Sequence, residues 1–152
     1  MSTYRVDTIN YDANGNILRL YRKSSSSALM DDMEYNYVAD KNLLDHVHDH
    51  VGSGAFPGDF DSQSSANYDY DGSGNLVNDA QADSKIFWNA YGKVTGLNFK
   101  TEKRRVYFDY GPDQNRVKKE NYDTDTGLST YTWYVRDAQG NVLVLCQVSN
   151  DG

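Results

Sequence analysis

His46, His48 and His50 stand at alternate positions, the spacing in this chain that most directly suggests chemistry. On an extended strand, side chains two apart share a face, with roughly 7 Å between successive ones. Neutral imidazoles so placed can hold zinc, nickel or copper. That step is long for three rings to reach one ion, and a polar, solvent-facing strand accounts for the same pattern without metal. Two acidic stretches, Asp12-Ala13-Asn14-Gly15-Asn16 and Asp123-Thr124-Asp125-Thr126-Gly127, have the composition of calcium loops. Both lack the long loop closed by a bidentate Glu, and Asp and Asn cap tight turns with no ion. No cofactor is therefore expected.

Tyr68, Tyr70, Trp88 and Trp133 can stack on a sugar if they share an exposed face; otherwise, with Tyr107 and Tyr131, they form cross-strand aromatic ladders. No Gly-x-Ser-x-Gly elbow is present. The single Cys146 lies in the apolar run Val142 to Val148, which predicts an inert, buried thiol. Nothing in these patterns assembles a catalytic site, so no enzyme is expected.

The elements that position these residues are read from Tyr68-Asp69-Tyr70-Asp71-Gly72-Ser73-Gly74-Asn75-Leu76-Val77. Alternating aromatics and acids enter a turn that Asp71 caps and Gly74 closes in the left-handed conformation, and an apolar pair leaves it. The same frame recurs at Tyr11 to Ile17, Tyr37 to Leu43, Trp88 to Val94, Tyr110 to Arg116 and Arg136 to Val142. The turn residues are Asp12 and Gly15, Asp71 and Gly74, Gly92, and Asp137 and Gly140, while Lys41 and Gln114 stand where glycine is usual. A turn about every twenty-odd residues describes an array of hairpins.

These residues resemble the YD-repeat or RHS-repeat family, named for the pair seen at Tyr11-Asp12 and Tyr70-Asp71. Residues 68–97 carry the likeness most fully, ending in Tyr91-Gly92-Lys93-Val94. The run from Tyr134 to Val142 is similar to the segment that closes such arrays. The resemblance implies a strip of a large β-shell that encloses a C-terminal cargo, often a toxin, in secreted or surface-displayed proteins. It implies neighbouring repeats or a cargo domain as partners, and an extracellular or cell-surface location. The family's self-cleaving aspartates would fall beyond residue 152, so no residue here inherits that role.

Composition agrees with a thin sheet. Ten Leu, three Ile, twelve Val and five Phe make about one residue in five of the 152, near the level where a core becomes hard to build, while thirteen Tyr and two Trp supply strand-forming bulk. A net charge of −7 opposes nucleic-acid and anionic-membrane binding, and the cluster Lys103-Arg104-Arg105 reads as a solvated turn. No run is long and apolar enough for a helical membrane span, and no signal-peptide pattern follows Met1.

The expected fold is all-β: an antiparallel meander of sequential hairpins spanning 1–152 as one strip. Strands are expected near 67–71, 75–79, 85–89, 93–99, 104–110, 115–122, 129–135 and 141–148. Ala28 to Met33 reads as a candidate helix start, with strand from about Met33 and again over 43–51, and a long surface loop covers 52–66. The function expected is a non-enzymatic wall or interaction segment, the alternative being a glycan-binding module with an aromatic face. The apolar edge at 141–148 and the first strand at 4–11, or the uncovered sheet faces, are expected to join copies at high concentration into a homodimer or small oligomer, a closed pair rather than a fibre.

Overall fold

The computed structural model describes residues 4–56 and 58–150. Twelve strands and no helix are present among them, in two units divided after Tyr70. The first unit holds β1 (Arg5–Tyr11), β2 (Ile17–Lys23), β3 (Leu29–Tyr37) and β4 (Leu44–Asp49) in sequence order, followed by the short β5 (Tyr68–Tyr70). The second holds β6 (Leu76–Asp79), β7 (Ser84–Trp88), β8 (Val94–Phe99), β9 (Arg104–Tyr110), β10 (Arg116–Asp123), β11 (Ser129–Arg136) and β12 (Val142–Asn150). From β1 to β4 and from β6 to β12, each strand pairs antiparallel with the next.

The turns form because one carboxylate replaces several ladder bonds. In the first, Asp12 N donates to Asn16 O and Gly15 N to Asp12 O. Asp12 Oδ1 accepts Asn14 N and Asn16 N, each at 2.8 Å, and Oδ2 accepts Asn16 Nδ2. Asp71 and Asp137 repeat this network with Asn75 and Asn141, and Asn89 repeats its backbone part through Oδ1. The fifth copy has Gly111 at the capping position. There Asp113, two residues on, takes the cap and holds Asn115 N and Nδ2. A Cβ on Gly111 would lie 2.8 Å from Asp113 Oδ1, so the missing side chain is what admits the substitute carboxylate.

Gly74 sits at φ +83, where a β-carbon is costly, and Gln114 tolerates φ +59 in the equivalent place. Lys41 is not left-handed; in that turn the positive φ falls one residue earlier, on Asp40. Each resolved leaving strand then carries a bulge at its second residue: Leu18, Asp45, Thr95, Val117 and Leu143.

Two expectations need correction. Strand β3 starts at Leu29 rather than Met33, and no helix begins there, because Asp31 and Asp32 are drawn across to β2. Arg22 grips Asp31 with two bonds of 2.8 Å, and Arg19 grips Asp32 at 2.7 and 2.8 Å. The second correction is Cys146, an exposed thiol on β12, whose nine residues are all exposed.

Only Met33, Val47 and Val106 are fully buried apolar side chains among the described residues, and buried polar groups outnumber them. Cross-strand contacts carry the sheets instead: Arg116 lies 4.0 Å over the Phe108 ring, and Lys118 Nζ reaches both Tyr131 and Trp133.

Candidate functional site

The three histidines do not act as one group. His46 Nδ1 donates to Asp45 Oδ2 at 2.7 Å, His48 Nδ1 lies 3.1 Å from Ser62 Oγ, and His50, just beyond the end of β4, donates from Nε2 to Glu34. His48 and His50 touch edge to face. Among the described residues, Asp31, Asp49 and Asp59 are the group whose ligand atoms lie within 4.8 Å of one another. Asp31 is fully enclosed and committed to Arg22, and Asp49 Oδ1 accepts Asp32 N and Val51 N. Burial first, then the neighbouring carboxylates Asp31, Asp61 and Asp49, raises Asp59 above the usual range.

The four candidate stacking residues are placed differently from one another. Tyr68 accepts Gln63 Nε2 on its hydroxyl, and Tyr70 and Trp88 are half-buried with their polar atoms bonded to backbone. Trp133 is 48% exposed, with the Lys118 ammonium over its ring. A shallow depression on β7, β8 and β9 is lined instead by Phe87, Gly96, Asn98, Arg105 and Tyr107. Gly96 faces Phe87 on one side and Tyr107 on the other, so the absent side chain opens the floor between two rings. The acidic stretch at 123–127 is a turn in which Asp123 Oδ1 accepts Asp125 N and Thr126 N.

The residue that enters each turn does something its sequence position does not announce. Tyr37 Oη donates to Ile17 O, Tyr70 Oη to Leu44 O, Trp88 Nε1 to Leu76 O, Tyr110 Oη to Val94 O and Arg136 Nε to Arg116 O, at 2.7 to 3.1 Å. Every acceptor is the first residue after the preceding turn. Geometry selects it: Asn16 O, Leu43 O, Asn75 O, Lys93 O and Asn115 O each turn inward to close their own hairpin, so the next carbonyl must point outward. Phenol, indole and guanidinium serve alike because each carries an N–H or O–H at the end of a flat, strand-compatible group. The separations range from 12 to 26 residues, which hides the pairing from any fixed-period reading of the sequence.

No protein-family model and no curated protein matches the chain.

The two ends of this contact series are open. Tyr11, which enters the first turn, is 56% exposed and its hydroxyl has no partner among the described residues. At the other end Asn141 O turns inward to Asp137 N, which aims Val142 O away from β11. The outer edge of β4 is closed by the chain itself. Gln63 N donates to Val47 O while Val47 N donates to Gln63 Oε1, and Ser62 Oγ accepts Asp49 N and returns a bond to Asp49 O. Asn67 N completes the seal on Asp45 O. The stretch expected as a surface loop thus covers β4 with its last residues, while among the described residues β1 ends one sheet and β12 the other as edge strands.

Proposed function

We propose that this chain is a non-enzymatic structural and interaction segment, a run of wall in a YD-repeat β-shell of a secreted, surface or toxin-associated protein. Its partners are the hairpins of neighbouring repeats and, through them, an enclosed cargo domain. The reading is supported above all by the contact between a turn-entry side chain and the carbonyl just after the preceding frame's turn, which recurs at all five steps of the six-frame series. Such nearest-neighbour units gain stability as they accumulate. Val142 O, aimed outward, and the apolar β12 edge offer the acceptor and surface for the next one.

The test is a chain carrying a second copy of residues 124–150 after Gly152. Addition of a matched hairpin raises the melting temperature and protects β12 amides from exchange. An unchanged melting temperature with the added residues cut by protease would refute the wall reading. A glycan-binding role is the second reading, favoured by the depression between Phe87 and Tyr107 with Asn98 and Arg105 beside it. A glycan array in which binding disappears with Phe87→Ala and Tyr107→Ala would support it.

A further inference from the structure

We propose that the β12 edge receives β1 of a second copy of this chain, with Tyr11 Oη of the incoming copy donating to Val142 O. The inference rests on the wall reading and names the occupant of its open edge. One copy carries both halves of the contact: a turn-entry phenol whose hydroxyl has no partner among the described residues, and a carbonyl on β12 that faces away from β11.

The register follows from the contacts already made. Where both register and contact are resolved, the residue two past the acceptor faces the residue three before the donor. Arg19 faces Glu34, Asn78 faces Lys85, Gly96 faces Tyr107 and Lys118 faces Trp133. With Val142 as acceptor and Tyr11 as donor, Val144 must face Thr8 of the incoming strand. Leu143, 63% exposed, then meets Ile9 on the face that carries Tyr11. The edge from Val142 to Val148 carries no charge, so Arg5 and Asp7 of the incoming strand meet no like charge there.

The β4 edge, already sealed by residues 62–67, does not compete. The contact joins two different surfaces of the chain, so it propagates head to tail and does not close as a two-fold pair.

Disulfide mapping of the full chain tests this. In a Cys146→Ser background, Thr8→Cys with Val144→Cys should give, under mild oxidation, a ladder of dimers, trimers and higher species on a non-reducing gel. Thr8→Cys with Leu145→Cys, one residue out of register and on the other face, should not. Independently, Tyr11→Phe should raise the dissociation constant for self-association about fivefold, the worth of one net hydrogen bond. The proposal fails if both cysteine pairs give the same ladder or neither gives one, if the bond closes within a single chain, or if Tyr11→Phe associates like the parent. Those failures, with the extended chain still stabilised by its extra hairpin, would remove the second-copy occupant and leave the wall reading standing.

Discussion

Removing one hydroxyl at each of two equivalent tyrosines separates a contact already made from one still open. Tyr37 Oη donates to Ile17 O at 2.9 Å, and its half-buried phenol titrates above the ordinary value chiefly because of burial. Tyr37→Phe deletes the donor and leaves a partly buried carbonyl unpaired. The net worth of such a bond is about 1 kcal/mol, with the larger penalty of a fully buried orphan moderated by water at the sheet surface. In a unit the size of residues 4–70, that loss lowers the melting temperature by about 4–8 °C. Tyr11→Phe, in the same unit and the same turn position, removes a hydroxyl with no partner and should leave melting of the dilute protein unchanged. Thermal denaturation followed by near-ultraviolet circular dichroism at low micromolar concentration makes the comparison. Equal losses for the two variants, or none for Tyr37→Phe, would show that the turn-entry contact does not stabilise the sheet and that Tyr11 is not an unused donor of the same kind.

Gly74→Val should cost about 1–2 kcal/mol because its φ is +83, whereas Lys41→Val should fall within about 0.5 kcal/mol of the parent in urea denaturation. Arg22→Met strands the enclosed Asp31 carboxylate and should destabilise the first unit by about 3 kcal/mol, seen as a lower urea midpoint. Asp12, Asp71, Asp113 and Asp137 are held below the usual carboxylate range, first by the side-chain amides of Asn16, Asn75, Asn115 and Asn141; Asp123 is held down by backbone N–H groups, Thr126 first. Their stabilisation is present above the unfolded value of about 4 and is lost as pH falls through the lower folded values, so stability should be flat near neutrality and drop below pH about 4. Asp71→Asn should make that drop shallower, and an acid titration that keeps the parent slope would contradict it. Replacing His46, His48 and His50 with Gln should leave melting unaltered, and stoichiometric metal that survives chelator in the parent but not in the variant would overturn this.

The turns were legible because Asp or Asn with Gly three residues on is local chemistry, present in four of the six frames, and the frames fix where strands begin and end. Exchanges of role were not legible. Asp113 replaces a missing cap through Gly111, a substitution that depends on a single clear space of side-chain size. Alternation led to Met33 as the start of β3, but ion pairing of Asp31 and Asp32 across the sheet extends the strand back to Leu29. Cys146 looks buried from its apolar neighbours, yet an apolar run at an edge has nothing to cover it. The seal on β4 uses serine and glutamine side chains as stand-ins for backbone, and such bonds leave no periodic trace.

Pairing only between consecutive strands has a consequence for how the chain acquires its shape. Loop closure between neighbours is short, so each hairpin can form as soon as its second strand exists and then serve as template for the next. Assembly is therefore vectorial, keeping pace with synthesis from the N-terminus and requiring no distant part of the chain to be finished first. The reverse process starts at edge strands: β12, paired on one side with β11, frays before it, and within residues 71–150 hydrogen exchange should slow in steps from β12 inward.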